Sequence, residues 1–65
     1  MVEINALEGG RFEVLAEGRH HEAFEGTLGA IIVAQALAGQ IAQETGAPEL
    51  IRTPWGDRSV SAPSS

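Results

Sequence analysis

The 65-residue sequence contains no cysteine, no lysine and no tyrosine. Without cysteine, the chain forms no disulfide and offers no thiolate ligand for a metal, so nothing indicates an oxidising compartment. The segment Met1–Asn5 has neither the basic nor the apolar region of a signal peptide. We therefore expect a cytoplasmic domain that binds no metal and no cofactor.

The absence of lysine leaves four arginines against nine carboxylates, for a net charge of −5. Four scattered arginines do not make the basic patch that neutralises phosphates, so direct binding of DNA or RNA is disfavoured. An acidic surface suits a basic partner, including proteins that themselves hold nucleic acid. The alternative is that the charge only keeps a small protein in solution.

The length limits the core, because a chain of this size buries only about 60% of the surface that its unfolded form exposes. We expect one domain over residues 1–61, with a flexible tail at 62–65, and a stability of about 5 kcal/mol or less. Dimerisation would be one way to enlarge such a core. The uncharged stretch from Gly26 to Gln43 is interrupted by glycines and glutamines and lacks flanking basic residues, so a membrane span is disfavoured.

Apolar and polar residues alternate along several short segments, which is the period of a half-buried strand. Gly9–Gly10 and Gly18 separate the first three segments, and glycine accepts the positive φ of tight turns. The composition of residues 54–57 predicts a further turn before the last segment. The pattern predicts strands at Val2–Leu7, Arg11–Glu17, His20–Glu25, Glu49–Thr53 and Arg58–Ser61.

One long helix is predicted from Leu28 to Thr45, with Thr27 as N-cap and Gly46 as the left-handed residue that ends it. The helical wheel predicts a buried stripe with Leu37 at its centre; the stripe comprises Ala30, Val33, Ala34, Leu37 and Ile41. The opposite side is also apolar, with Leu28 and Ile32, and small residues there would allow another chain to approach closely: Gly29, Ala36 and Gly39.

The predicted fold class is α+β, with a three- to five-stranded antiparallel sheet and one long helix on one face, in the order βββαβ. A pattern that starts at Gly10-x-Phe12-x-Val14-x-x-Glu17-Gly18 resembles a family of short bacterial domains without an assigned activity. The likeness continues through Phe24, Thr27, the alanine-rich helix ending at Gly46-Ala47, and Glu49-Leu50-Ile51. It spans Val2 to Val60 and implies a hairpin, helix and strand layout but no activity; the helix start lacks that family's charged residues.

A looser likeness, in size, acidity and lack of lysine, is to the small anti-CRISPR proteins of phages. This similarity implies an inhibitor of a larger complex that handles nucleic acid. No residue motif carries the likeness, so it implies no site residues.

Candidate chemistry is sparse. His20, His21 and Glu22 form the one metal-like cluster, but adjacent strand residues point to opposite faces and a tight site needs three or four ligands. The serines lie in the terminal region, no nucleophile turn of the G-x-S-x-G type is present, and the glycines lack the spacing of a phosphate loop. We therefore expect no enzyme activity.

Carboxylates on the strands give the candidate binding surface. Glu3, Glu13 and Glu17 are predicted to share the solvent face of the sheet, where alternate residues repeat at about 6.6–6.8 Å and could imitate a row of phosphates. Trp55, in a turn, is either a lid on the core or an interface anchor. The predicted partner-binding residues are Glu3, Glu13, Glu17, Glu22, Glu25 and Trp55.

These patterns predict a non-catalytic, acidic protein-binding domain, with the anti-CRISPR type of inhibitor as the specific hypothesis. Such an inhibitor would compete with nucleic acid for a basic surface by charge mimicry. The alternative is a self-associating accessory domain of a bacterial or phage protein, a homodimer formed through the outer side of the helix.

Overall fold

The computed structural model describes residues 1–16 and 18–62. They form five strands and one helix in the order β1, β2, β3, α1, β4, β5. The bounds are Val2–Ala6 for β1, Arg11–Ala16 for β2, His20–Glu25 for β3, Thr27–Thr45 for α1, Glu49–Arg52 for β4 and Arg58–Val60 for β5. The α+β class and the position of each predicted element are thus confirmed, while most of the predicted tail lies outside the described residues.

The five strands form one sheet in the order β3-β2-β1-β4-β5. The pairs β1–β2, β2–β3 and β4–β5 are antiparallel, but the central pair β1–β4 is parallel, with Val2 opposite Ile51. The prediction of a wholly antiparallel sheet was therefore wrong. The reason is the helix: α1 carries the chain back along the sheet, so β4 starts at the same end as β1 and runs with it.

Glycines shape the turns as the sequence predicts. Gly9 and Gly10 have φ of 74° and 75° in a short 3-10 turn at Glu8–Gly10, and Gly46 has φ of 74° at the end of α1, where its N–H donates to the carbonyl of Ala42 at 2.8 Å. The start of α1 differs from the prediction. Gly26 is the N-cap, with φ of 82°, and Thr27 is the first helical residue and not a cap.

The helix packs on the sheet through a stripe of alanines. One alanine per turn is fully buried, and the set is Ala30, Ala34, Ala38 and Ala42. Against them lie the buried sheet residues Val2, Ile4, Val14, Ala16 and Ile51. Leu37 is only partly buried beside this stripe, so the prediction that it is the centre of the core was wrong. Small side chains at the centre bring the helix close to the sheet, and the larger ones seal its flanks.

Two glycines of the helix face inward. A Cβ on Gly29 would lie 3.2 Å from the Phe24 ring, so that position is filled by strand β3, and Gly39 is buried. The predicted small-residue surface for a second chain is therefore wrong at Gly29 and Gly39. Of that set, Ala36 is exposed.

An ion pair ties the β2–β3 turn to the end of the helix. The Arg19 guanidinium donates to both carboxylate oxygens of Glu44, at 2.9 and 2.6 Å. The hydrogen bond from Arg19 holds the pKa of Glu44 below its ordinary value, and the same contact raises the pKa of Arg19. The charges of Arg19 and Glu44 therefore neutralise each other. In the described part of the chain, no helix has the length and apolarity needed to cross a membrane.

Candidate interaction surfaces

The face of the sheet away from the helix carries three of the predicted binding residues. The strand register places Glu3, Glu13 and Glu25 there, which confirms that Glu3 and Glu13 share one face. The same register puts arginines among them: Arg11 is opposite Glu25, and Arg52 is the β4 partner of Glu3. This face therefore alternates in charge.

Glu13 is already engaged by its neighbours. One carboxylate oxygen lies 2.9 Å from Nε2 of His21, and the other accepts a hydrogen bond from the Asn5 amide at 3.4 Å. The bond to His21 is the largest cause that lowers the pKa of Glu13 from its ordinary value, and the amide of Asn5 contributes in the same direction. Glu13 stays ionised to a lower pH as a result.

The predicted row of phosphate-like charges is interrupted. The residue opposite Glu3 on β2 is Leu15, and the residue opposite Glu13 on β1 is Asn5. Glu3 and Glu13 are thus diagonal neighbours with uncharged side chains between them. Glu17, the third member of the predicted row, lies outside the described residues. A linear imitation of a nucleic-acid backbone does not follow from this face.

Glu22 lies on the other face of β3. It is paired with Val14, whose side chain is buried beneath the helix, and its carboxylate is 3.0 Å from Nε2 of His20. Because β3 is the edge strand of the sheet, Glu22 and Glu25 flank the same open edge from opposite faces. The structure thus brings these two residues together along an edge rather than on one face.

Charge is divided unequally across the sheet. In the described residues from Met1 to Gly26, which supply β1, β2 and β3, five glutamates stand against two arginines: Glu3, Glu8, Glu13, Glu22, Glu25, Arg11 and Arg19. In residues 47–62, which supply β4 and β5, two carboxylates stand against two arginines: Glu49, Asp57, Arg52 and Arg58. On β2 and β3 themselves, three glutamates stand against one arginine: Glu13, Glu22, Glu25 and Arg11. Arg19, in the turn between them, is held by Glu44, so the excess negative charge lies on this side of the sheet. We call Glu22 and Glu25, with the open edge of β3, the acidic edge.

Trp55 lies in the turn that follows β4, not on the acidic edge. The residue is 55% exposed, and its ring packs against Phe12, with ring centroids 5.5 Å apart and an angle of 44° between planes. The Thr53 hydroxyl fixes the turn, because it accepts from the Trp55 N–H at 3.1 Å and donates to the Gly56 carbonyl at 2.5 Å. The position of Trp55 is therefore fixed by its turn and by Phe12, while more than half of the residue stays exposed.

A cleft of about 100 Å³ lies beside Trp55, between α1 and the β4–β5 hairpin. Its lining is mostly apolar and comprises Ile4, Ile31, Ala34, Gln35, Ile51, Thr53, Trp55 and Arg58. The sequence pattern did not predict this cleft, because its residues come from β1, α1, β4 and β5 and meet only in the folded chain. The one sequence signal was the isolated Trp55 in a turn.

The outer side of the helix exposes large apolar residues, as predicted. Leu28 is 71% exposed and Ile32 is 57% exposed, one turn apart and followed by Ala36. Their neighbour Ile31 lines the cleft beside Trp55. We call Leu28, Ile32 and Ala36 the outer helix ridge.

The two histidines lie on opposite faces of β3 and each contacts a different glutamate. Within residues 1–16 and 18–62, no three His, Asp or Glu side chains are grouped as a metal site requires. Comparison of the chain with protein-family models, with curated proteins and with solved structures finds no match. The resemblances to a bacterial domain family and to anti-CRISPR proteins stay predictions.

Proposed function

We propose that this chain is a non-catalytic protein-binding domain that docks through its acidic edge on a basic surface of a nucleic-acid-binding complex. The observation that carries the proposal is the unequal division of charge, which places more carboxylates than arginines on the β2–β3 side of the sheet. Occupying that surface would inhibit the complex by excluding its nucleic acid, which is how an anti-CRISPR type of inhibitor would act.

The acidic edge has two properties that suit this role. Its carboxylates project from both faces of one strand, so arginine or lysine side chains of a partner can reach Glu22 from one side and Glu25 from the other. The outer backbone groups of an edge strand are also available to a partner. Charge would steer the encounter, and backbone contacts along β3 would fix its register.

Charge reversal at the acidic edge tests the proposal. Glu22→Lys and Glu25→Lys are each expected to weaken binding about tenfold or more to a basic protein captured from bacterial lysate, since each replaces an attraction with a repulsion. Binding of the unaltered chain should weaken as salt rises, and the chain should displace nucleic acid from the captured protein in a competition assay.

Asp57→Lys is the matched control, because it makes the same change in net charge on the β4–β5 side, where charges balance. Its affinity should stay within about twofold of the unaltered chain by the modest effect of distant surface charges. Equal losses of affinity in all three variants would show that binding depends on net charge and not on the acidic edge, which would contradict the proposal. No loss in any of them, or no displacement of nucleic acid, would contradict the proposal.

A second candidate function, self-association, is favoured by the outer helix ridge. Leu28 and Ile32 each expose more than half of their surface and lie one turn apart on the helix. Isolated exposed apolar residues are common on monomers, whereas adjacent ones form a patch of the kind that binds another protein. A second copy packed ridge to ridge would bury both residues from each chain. This arrangement would leave the acidic edge free, so it is compatible with an inhibitor that is also dimeric.

Ile32→Glu tests self-association. We expect sedimentation velocity at micromolar concentration to show a dimer for the unaltered chain and a monomer for this variant, because the carboxylate would be buried without a partner. Ser59→Glu introduces the same charge at an exposed position of β5, away from the helix, and should leave the dimer intact. A monomer at every concentration of the unaltered chain would exclude this function.

A further inference from the structure

The cleft beside Trp55 has the composition of a binding site for one side chain. Its floor is made of core residues that are almost fully buried, Ile4, Ala34 and Ile51, so its shape is set by the packing of helix on sheet. Its two walls are Ile31 of the helix and Trp55, whose turn is pinned by the Thr53 hydroxyl. The site is therefore formed before any ligand arrives.

The volume limits what the cleft accepts. A closed cavity of about 150 Å³ takes a benzene molecule, so a cleft of about 100 Å³ has room for one aliphatic side chain. The apolar floor and walls require that side chain to be hydrophobic.

Arg58, in the lining of the cleft, favours a ligand that carries a negative charge. It lies in the lining at the start of β5, and no carboxylate among residues 1–16 and 18–62 forms an ion pair with it. Gln35, exposed at the same rim, supplies an amide that can donate a hydrogen bond. The cleft thus combines two hydrogen-bond donors, Arg58 and Gln35, with an apolar space for one side chain. This combination is complementary to a hydrophobic residue that carries its own carboxylate.

We propose that this cleft binds the C-terminal residue of a peptide, with an aliphatic side chain between Ile31 and Trp55 and the terminal carboxylate on Arg58. The proposal is independent of the acidic edge, which lies across the sheet on β3. It gives the domain a second contact, for a hydrophobic chain terminus instead of a basic surface.

The experiment uses the full chain and an acetylated tetrapeptide ending in leucine, prepared with a free terminal carboxylate and, as the matched form, with a terminal amide. Trp55 is the only tryptophan and the chain has no tyrosine, so fluorescence emission reports directly on the cleft. We expect saturable binding of the acid form, with a Kd about tenfold or more below that of the amide, because a hydrogen bond to a charged group is the difference between them.

Arg58→Gln should bring the two Kd values together, whereas Arg52→Gln, on the other face of the sheet, should leave the tenfold difference intact. Amide shifts in a 15N–1H correlation spectrum should appear at Ile31, Gln35 and Thr53 as a second readout. Equal affinity for the acid and amide forms of the peptide would overturn the assignment of the carboxylate to Arg58. The absence of saturation in both readouts would overturn the site itself.

Discussion

Ile51→Ala is expected to destabilise the domain by about 2–5 kcal/mol, which is comparable to the whole stability of a chain this short. Ile51 is the largest of the fully buried side chains, in the central part of the sheet where β4 joins β1, and it packs against the alanine stripe of the helix. Removing three carbons there leaves a cavity that neither the sheet nor the closely packed helix can fill. Urea denaturation followed by far-ultraviolet circular dichroism measures the loss.

Leu50→Ala is the control for this prediction. Leu50 precedes Ile51 on the same strand but points to the other face of the sheet, where it is 39% exposed. The same class of truncation should therefore cost about 1 kcal/mol or less, in keeping with surface positions. Equal losses at the two positions would show that the faces of β4 are assigned wrongly.

Ala38→Leu is expected to destabilise the domain by about 1–3 kcal/mol through overpacking. Ala38 has no exposed surface and lies in the middle of the stripe on which the helix rests, so three added carbons must push the helix from the sheet. For a domain of this size each kcal/mol lowers the melting temperature by about 4–8 °C. Differential scanning calorimetry would detect that shift.

Ala23→Leu makes the same substitution at an exposed position of β3, away from the outer helix ridge. Its melting temperature should stay close to that of the unaltered chain, because nothing has to move at a surface position. If Ala38→Leu were as well tolerated as this control, the helix would not approach the sheet through its alanines.

Much of the fold could be predicted because each element depends on local rules. Alternation gave the strands, and glycines at 9, 10 and 46 adopt the positive φ that the turns and the helix end require. The direction of β4 could not be read in this way. It depends on where a 19-residue helix returns the chain, and a period of two is the same in a parallel and an antiparallel strand.

The packing of the helix shows why hydrophobicity alone misplaced the centre of the core. A helical wheel weighted by hydrophobicity favours Leu37, yet the line of closest approach passes through Ala34 and Ala38. Close contact selects small residues, whereas larger apolar residues take the flanks. The same effect placed Gly29 against Phe24 rather than on the outside.

The candidate surfaces were only partly predictable for a related reason. Alternation put Glu3 and Glu13 on one face, but it cannot say that Arg52 is the neighbour of Glu3, since that pairing joins residues 49 positions apart. Likewise Glu22 and Glu25 belong together only because β3 is an edge strand. The basic partner and its contact with the edge of β3 stay a proposal, which rests on the charge composition and the strand order.

We expect the acidic edge to bind basic side chains, and titration of the 15N-labelled chain with a hexa-arginine peptide would examine this proposal. At about 0.1 M salt, where charges are screened over about 10 Å, amide shifts should be largest from His20 to Glu25, and at about 1 M salt they should vanish. In the Glu22→Lys, Glu25→Lys double variant they should be absent at both salt concentrations. Shifts that concentrate on Leu28 and Ile32, spread evenly over the sheet or persist at high salt would contradict the account.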